Sequence, residues 1–243
     1  MNIAHRGASG DYPENTLVAF AAAIEAGAEM CELDVQLSAD GVAVVIHDDT
    51  VDRTTDGRGA VASMTLAQLR RLDAGRRFGA RFTGARIPTL DEVFGLAKGR
   101  CALNVELKAA GAEREVCRLA RAHGALAETI VSSFDWPALG AVRKLEPAMG
   151  IGVLADKNPD AMLEEAVRLG AVSVNPRYDM VTRALIERAH QAGLRVLVWT
   201  VDRAARMRRM IAMGVDGIMT NYPARLAALL AADCARVGPD GAD

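Results

Sequence analysis

Short apolar segments alternate with amphipathic helical patterns along almost the whole chain. The apolar segments are rich in β-branched residues and predict strands at residues 2–5, 31–36, 102–107, 129–133, 150–154, 171–174, 195–200 and 216–219. Apolar residues at helical spacing predict helices at residues 16–26, 90–98, 113–123, 136–146, 159–169, 182–192 and 203–213. Because most consecutive strands are separated by a helix and short loops, we expect them to pair in parallel.

The number of these strand–helix units favours a closed barrel over an open sheet. A chain of 243 residues also suits a (β/α)8 or TIM barrel, which commonly contains about 250 residues in one domain. We therefore predict an α/β fold of the TIM-barrel type over residues 1–230, followed by a flexible tail at 231–243. An open, doubly wound parallel sheet is the alternative fold.

The second predicted strand is followed by a turn where a helix would be expected. Asp40-Gly41 lies between two apolar segments and is typical of a two-residue hairpin turn. The second arm of such a hairpin runs antiparallel to the first, so it cannot belong to the parallel barrel. If Asp40 and Gly41 are the central turn residues, Asp34 pairs with His47.

Residues 48–88 form a long insertion with many glycines and charged residues. It contains one helical pattern, near Thr65 to Leu72. Long insertions at the mouth of a barrel are usually functional, because they can enclose a substrate. We predict a small subdomain at the C-terminal mouth of the barrel.

Charge and hydropathy limit the classes of partner. The chain has 29 Lys and Arg residues against 31 Asp and Glu residues, a net charge of −2, and this balance does not favour binding to nucleic acid. No segment approaches the roughly 18 consecutive apolar residues of a membrane-spanning helix, and the first strand starts too early for a signal peptide. We expect a cytoplasmic protein without membrane insertion. The sequence does not indicate the oligomeric state.

Two local features are interpreted as structural. The basic run Arg206-Met207-Arg208-Arg209 is expected to be a solvent-exposed helix face. The four cysteines, Cys31, Cys101, Cys117 and Cys234, do not have the spacing of a metal site, and a chain of this size needs no disulfides. Cys31 and Cys101 open two predicted strands and are expected to be reduced core residues.

Charged side chains lie where several predicted strands end. Catalytic groups of parallel α/β folds collect at the carboxyl-terminal edge of the sheet, so these residues are candidates for one site. They are His5, Arg6, Glu32, Asp34, His47, Glu106 and Lys108.

Three of these residues are carboxylates that would repel one another. Glu32 and Asp34 point to the same face of their strand, because side chains alternate along a strand, and Glu106 ends a later strand. A divalent cation would remove the repulsion, and ligation by oxygen alone favours Mg²⁺ or Ca²⁺ over Zn²⁺. The alternative is a buried salt-bridge network with the basic residues Arg6, Arg53 and Lys108.

His5 and His47 suit a reaction in which one proton is taken up and another is donated. Arg6 offers a planar guanidinium and Lys108 a point charge, and both match a phosphate group. The chain contains neither a GxxxxGK[ST] loop for a nucleoside triphosphate nor a GxSxG serine elbow. The other two histidines, His123 and His190, lie near helix-ending glycines and are interpreted as structural.

Together these residues resemble the glycerophosphodiester phosphodiesterase family, in its compact cytosolic bacterial form. The motifs that carry the resemblance are His5-Arg6-Gly7, Pro13-Glu14-Asn15-Thr16, Glu32-Leu33-Asp34-Val35, His47-Asp48, Arg53-Thr54-Thr55, Glu106-Leu107-Lys108 and Trp199-Thr200-Val201. The resemblance extends to about Tyr222-Pro223. It implies a TIM barrel that hydrolyses small-molecule glycerophosphodiesters, such as glycerophosphocholine or glycerophosphoethanolamine, to sn-glycerol 3-phosphate and an alcohol.

The resemblance also implies roles for individual residues. The metal ligands would be Glu32, Asp34 and Glu106, with His5 and His47 as the acid–base pair. The substrate would be bound by Arg6, Lys108, Trp199 and Phe134, and Glu14 would orient Arg6 or the metal ligands. Arg53 is expected to brace the insertion. Many relatives have Asp where this chain has Asn221, which we expect to cap the last loop.

Several alternatives remain open at this stage. The attacking group is either water or the glycerol 2-hydroxyl, and either histidine can be the acid. A related phosphodiesterase of the phospholipase D or phosphoinositide type has the same architecture. A non-catalytic barrel that binds phosphodiesters would need the same pocket.

Overall fold

Eight parallel strands close into a barrel in the computed structural model, which describes residues 1–236. The strands are β1 (Asn2–His5), β2 (Met30–Leu37), β3 (Ala43–Val45), β4 (Ala102–Leu107), β5 (Thr129–Ser133), β6 (Gly150–Ala155), β7 (Ser173–Pro176), β8 (Arg195–Val198) and β9 (Gly217–Thr220). Pairing of β1 with both β2 and β9 closes the barrel, and β3 lies outside it, antiparallel to β2. The predicted TIM barrel is confirmed, and the open sheet is wrong.

Most helices follow barrel strands and cover the outside of the barrel, and one short helix, at residues 66–69, lies in the insertion. The helices are α1 (Leu17–Glu25), α2 (Leu66–Leu69), α3 (Leu90–Ala97), α4 (Ala112–Ala122), α5 (Trp136–Leu145), α6 (Pro159–Leu169), α7 (Arg183–Gln191), α8 (Ala204–Met213) and α9 (Pro223–Arg236). Thr16 caps α1 by accepting a hydrogen bond from the backbone of Ala19. Across residues 1–236, no helix combines the length and apolar character needed to cross a membrane.

The last helix corrects the predicted tail. We expected the folded domain to end at residue 230, but α9 continues to Arg236. The apolar spacing in this segment supports a helix in spite of the glycine-rich end that follows it. The rest of the predicted tail, residues 237–243, lies outside the described residues.

The interior of the barrel changes from apolar to polar along the strands. The amino-terminal end of the lumen is filled by a cluster of Ile3, Met30, Ile130, Leu197 and Met219. Two residues further along three of these strands, His5, Glu32 and Ser132 line a cavity. Because alternate residues of a strand share a face, the same rows of side chains first form the core and then the cavity wall.

The cysteines with described side chains belong to the larger apolar layer between the strands and the helices. Cys31 and Cys101 are free and buried, in agreement with the prediction, and Cys117 is free and buried as well. The side chain of Cys234 lies outside the described part of the chain.

The hairpin of β2 and β3 forms with a register different from the predicted one. Val35 pairs with Val45, and the backbone N–H of Ile46 donates to the carbonyl of Asp34 at 3.0 Å. The loop takes three residues, 39–41, because Gly41 adopts a left-handed conformation with φ +78°. The predicted pairing of Asp34 with His47 is therefore wrong by one residue. His47 reaches the barrel mouth because the chain bends after Ile46, where the pairing ends.

The insertion at residues 48–88 has a small apolar core of its own, which includes residues of β3 and its end. That core contains Val44, Ile46, Val51, Val61, Leu69, Ala74 and Ile87. Apolar contacts therefore hold the insertion against the hairpin that leads to it.

Candidate active site

A cavity of about 280 Å³ opens at the carboxyl ends of the barrel strands. Most of the predicted site residues line it, namely His5, Arg6, Glu32, His47, Glu106, Lys108, Phe134 and Trp199. Asp34 is fully buried beside this wall, and Glu14 lies outside the cavity, where it contacts Arg6. His123 and His190 do not line the cavity and pair with Asp91 and Asp216.

The three predicted metal ligands form one acidic cluster. Glu32, Asp34 and Glu106 each offer a carboxylate oxygen, and these oxygens all lie within 4.8 Å of one another. The parallel register explains this proximity, because Asp34 pairs directly with Glu106 across β2 and β4. Oxygens Oε1 of Glu32 and Oδ1 of Asp34 are buried without a hydrogen-bond partner.

The electrostatics of the acidic cluster fit a bound cation. Burial, together with the charges of Asp34 and Glu106, raises the pKa of Glu32 well above its ordinary value. Burial and the charge of Asp34 raise the pKa of Glu106 to about 7. For Asp34 burial acts in the same direction, but the charges of Arg6 and Lys108 lower its pKa. A hard divalent cation, which oxygen donors suit, would offset both the burial and the repulsion.

Arg6 and Lys108 lie against the acidic cluster. Arg6 Nε is 3.1 Å from Asp34 Oδ2, and Lys108 Nζ is 2.5 Å from Glu106 Oε1 and 3.4 Å from Asp34 Oδ1. Arg6 and Lys108 therefore do form the buried salt bridges that the sequence analysis considered as an alternative to a metal site. This network leaves Glu32 Oε1 buried without a hydrogen bond, and it offers Asp34 Oδ1 only the ion pair with Lys108. The acidic cluster could therefore still hold a cation.

Arg53 does not reach the acidic cluster. Its guanidinium bonds Glu14 Oε2 at 2.7 Å and Asp48 Oδ2 at 2.7 Å. Since Glu14 also bonds Arg6 at 3.0 Å, a chain of charged contacts joins the insertion to the cavity wall. This is the bracing position that the sequence predicts for Arg53.

The backbone around Arg6 is held in an uncommon conformation. Arg6 has φ +57°, and Asn15, whose side-chain amide donates to Asp34 at 2.8 Å, has φ +56°. Gly7 has φ +79°, and a Cβ there would lie 2.7 Å from the backbone of Ala19, so only glycine fits. Non-glycine residues with positive φ are uncommon and cluster at functional sites. Asn15 belongs to one of the family motifs, but sequence reasoning did not place it in the site.

His5 is oriented by the last loop of the barrel. Its Nδ1 lies 2.7 Å from Asn221 Oδ1, and Asn221 Nδ2 donates to Asp202 Oδ2 at 2.8 Å. Because Asp202 fixes the amide orientation, Nδ1 carries the proton and Nε2 faces Glu32 Oε2 at 3.9 Å. Burial is the main cause that lowers the pKa of His5 to about 4, and the charge of Arg6 is the second cause. Asn221 therefore contacts His5 directly, a contact that the predicted loop-capping role did not include.

His47 is oriented by its neighbour in sequence. His47 Nδ1 lies 2.7 Å from Asp48 Oδ1, and Arg53 Nε donates to the other oxygen of that carboxylate. The hydrogen bond from Arg53 is the largest factor that lowers the pKa of Asp48. We did not predict a role for Asp48, although its position directly after His47 could have indicated one.

Aromatic side chains form part of the cavity wall. The rings of Phe134 and Trp199 meet edge to face with centroids 5.5 Å apart. Trp199 is fixed by a hydrogen bond from its Nε1 to the carbonyl of Asn175 at 2.7 Å. Phe134 remains 43% exposed, so this wall presents an apolar surface near the charged groups.

The barrel mouth brings together carboxylates, two imidazoles and the basic side chains of Arg6 and Lys108. This set of groups is typical of a TIM-barrel hydrolase that acts on phosphoric diesters. A model of the Glycerophosphoryl diester phosphodiesterase family matches residues 5–225. The chain belongs to this family and is an enzyme, a glycerophosphodiester phosphodiesterase.

Individual relatives agree over nearly the whole chain. A glycerophosphodiester phosphodiesterase of Caldanaerobacter subterraneus is 44% identical over 230 residues, which cover 92% of this chain and 95% of that protein. The crystal structure of the Agrobacterium tumefaciens glycerophosphodiester phosphodiesterase has a TM-score of 0.85 at 34% identity, covering 93% of this chain and 98% of that one. An Oleispira antarctica phosphodiesterase in complex with the product sn-glycerol-3-phosphate has a TM-score of 0.89 at 32% identity, covering 94% and 96%.

Proposed function

We propose that the enzyme hydrolyses glycerophosphodiesters such as glycerophosphocholine and glycerophosphoethanolamine to sn-glycerol 3-phosphate and an alcohol, with Mg²⁺ or Ca²⁺ as its cofactor. The cofactor proposal rests on one observation, the buried acidic cluster of Glu32, Asp34 and Glu106, in which two oxygens have no hydrogen bond. A bound divalent cation supplies a Lewis acid that polarises a phosphoryl oxygen. The sn-glycerol-3-phosphate in the Oleispira antarctica structure supports the choice of product.

The two basic side chains on the cavity wall, Arg6 and Lys108, are proposed to bind the phosphate group. Arg6 presents a planar guanidinium, and Lys108 presents an ammonium that contacts Glu106. Both groups would offset the negative charge that grows on the phosphoryl oxygens in the transition state. Trp199 and Phe134 would pack against the carbon side of the glycerol, because their exposed faces are apolar.

We assign the base to His5 and the acid to His47. The bond from His5 Nδ1 to Asn221 leaves Nε2 unprotonated and able to accept a proton from the attacking hydroxyl. The bond from His47 Nδ1 to Asp48 places a carboxylate where it stabilises the imidazolium, which then protonates the departing alcohol. Asp48 and Asn221 are thus positioning residues for the two imidazoles.

Water and the glycerol 2-hydroxyl are both suitable nucleophiles for this arrangement. Attack by the 2-hydroxyl passes through a cyclic glycerol phosphate, whereas attack by water gives sn-glycerol 3-phosphate in one step. Phosphorus NMR during turnover would distinguish the two routes, because the cyclic diester has a resonance of its own.

The direct test is release of sn-glycerol 3-phosphate from glycerophosphocholine. We expect release by the purified enzyme, loss of release when a chelator removes divalent cations, and recovery when Mg²⁺ or Ca²⁺ is returned. Binding of the substrate without release would contradict the proposed reaction. Hydrolysis of lysophosphatidylcholine alone, measured as release of choline and lysophosphatidate, would instead favour the related lipid phosphodiesterase.

The His47→Ala variant tests the proposed acid. We expect kcat to fall at least about a hundredfold, the lower limit for loss of a positioned proton donor. His190→Ala is the matched control, since His190 is exposed and pairs with Asp216 at 2.9 Å, outside the cavity. Near-normal turnover by His47→Ala would refute its role.

The cytoplasmic location and the absence of a nucleic-acid partner stay predictions. Cell fractionation with an antibody to the enzyme tests the first. Gel-shift measurements with duplex DNA at physiological salt test the second.

A further inference from the structure

A second concave region lies on the carboxyl-terminal rim of the barrel, outside the cavity described above. It has a volume of about 480 Å³ and lies between the segment after β7 and the first turns of α8. Arg203, Arg206 and Arg209 line it together with the apolar residues Val181 and Met210. We call this region, defined by the three arginines, the arginine groove.

The arginine groove carries a net positive charge, because three arginines and one carboxylate, Asp179, line it. Among the described side chains, Arg203, Arg206 and Arg209 form no salt bridge. Asp179 also lines the groove, but Arg177 Nε already pairs with it at 2.7 Å. Like charges that line one groove repel one another, and a bound anion would offset this repulsion.

Helix stability does not explain where these arginines lie. The amino-terminal end of a helix favours negative side chains, because the helix dipole places partial positive charge there. Helix α8 has no acidic residue in its first turn, and its N-cap, Arg203, makes no side-chain capping bond. Arg203 and Arg206 therefore add positive charge at the end of the helix that disfavours it.

The prediction that residues 206–209 form a solvent-exposed helix face is only partly correct. Met207 is fully buried. Arg206 is partly buried, with its guanidinium 4.0 Å from the centre of the Tyr178 ring. Arg208 is exposed and is not among the groove residues.

The arginine groove and the active-site cavity are neighbours, because residues that line one are hydrogen-bonded to residues that line the other. Trp199 lines the cavity, and its carbonyl accepts a hydrogen bond from the backbone of Tyr178, a groove residue, at 2.8 Å. Arg203 follows Trp199 in the loop between β8 and α8. A ligand in the groove would thus lie next to the wall of the active site.

We propose that the arginine groove is a second phosphate-binding site. Guanidinium groups bind phosphate oxygens through paired N–H donors, and the volume lies within the range of small-molecule sites. The phosphate has two chemical sources: a second phosphate on the alcohol part of the substrate, or a separate phosphorylated small molecule. The first source rests on the proposed function, whereas the second does not.

Binding can be measured without activity, because Met210 lies in the groove and reports on it. In protein labelled with ¹³C at the methionine methyls, the Met210 resonance is assigned by its loss in Met210→Leu. We expect titration with sodium pyrophosphate to shift this resonance saturably in the wild type and in the control Arg208→Gln. In the double variant Arg206→Gln Arg209→Gln, the affinity should fall at least about tenfold, which corresponds to about 1.4 kcal/mol.

The binding measurement has clear contrary outcomes. No saturable shift of Met210 in the wild type overturns the proposal. An equal loss of affinity in Arg208→Gln also overturns it, because the effect would then be general electrostatic attraction. If the double variant keeps the wild-type affinity, the proposal is overturned as well.

Kinetics separate the two sources of phosphate. The substrates are glycerophosphocholine and a glycerophosphodiester whose alcohol is glycerol phosphate. If the substrate supplies the phosphate, the double variant raises KM at least about tenfold for the phosphorylated diester alone. If both KM values are unchanged while the Met210 shift is lost, the ligand is a separate molecule. Failure of the wild type to hydrolyse either diester would contradict the proposed function and leave the binding result standing.

Discussion

At the scale of single residues, the proposed base depends on a side chain far away in the sequence. The contact between His5 and Asn221 joins residues 216 positions apart. The sequence predicts that His5 lies at a strand end, but its tautomer follows from Asn221 and Asp202, which reach it only after the barrel closes. Removal of the amide oxygen should thus change turnover and leave the fold intact.

We expect Asn221→Leu to lower kcat about tenfold with little change in KM, because one hydrogen bond of about 1 to 1.5 kcal/mol to the imidazole is lost. Ser9→Ala is the matched control. The Ser9 hydroxyl lies 2.8 Å from the same amide oxygen and 2.7 Å from the backbone carbonyl of His5, and its removal leaves the bond between Asn221 and the His5 ring in place. Steady-state kinetics with glycerophosphocholine measure both variants, and an unchanged kcat in Asn221→Leu would remove Asn221 from the mechanism.

At the scale of structural elements, the hairpin of β2 and β3 shows the limit of turn prediction from sequence. Asp40-Gly41 suits a two-residue turn and equally the end of a three-residue turn with glycine in the left-handed region. Local side-chain bonds favour the longer turn: Ser38 Oγ bonds Asp40 Oδ1 at 2.6 Å and accepts from the backbone of Val42 at 3.0 Å. Such bonds compete with the ideal ladder and are not visible in an apolar pattern.

The Gly41→Ala variant tests the observed turn. Gly41 has φ +78°, and a Cβ added there would meet no atom within 4 Å, so the cost of alanine comes from the backbone alone. We expect a loss of about 1 kcal/mol in the free energy of unfolding. Gly95→Ala, inside α3 and also without close neighbours, should instead be neutral or stabilising. Urea unfolding compares the two, and equal effects would contradict the left-handed turn.

Arg53 connects two elements, the insertion and the loop before α1. Its hydrogen bonds lower the pKa of Asp48. They also lower that of Glu14, against the opposing effect of burial. Carboxyl groups with lowered pKa values contribute stability above the ordinary carboxyl pKa of about 4, and this contribution is lost as the pH falls below it.

We therefore expect Arg53→Met to destabilise the protein by about 1 kcal/mol at pH 7, a modest value because Arg53 is half exposed. The difference from the wild type should shrink as the pH falls through about 4. Arg58→Met, which removes another exposed arginine of the insertion, should show no such pH dependence. Denaturant unfolding between pH 7 and pH 3 measures this, and a constant difference across that range would be inconsistent with ion pairing.

At the scale of the whole molecule, local patterns predicted the barrel because each strand–helix unit is short and repeats. The position of Glu32 and Asp34 on one face also follows from strand periodicity alone. The contact of Asn221 with His5 requires the pairing of β1 with β9, which no local pattern contains. The arginine groove was missed for the same reason, since Tyr178 and Arg206 meet only when neighbouring units pack side by side.

The central claim is that barrel closure and the register of β2 with β4 gather three acidic side chains around one divalent cation. Crystals grown with Mn²⁺ in place of Mg²⁺ allow the cation to be located by anomalous scattering. We predict one strong peak within about 2.6 Å of a carboxylate oxygen from each of Glu32, Asp34 and Glu106, and no peak there in Glu106→Gln crystals. If Mn²⁺ binds only elsewhere, or if the acidic cluster stays empty at saturating Mn²⁺, the claim that these three residues share one cation is contradicted.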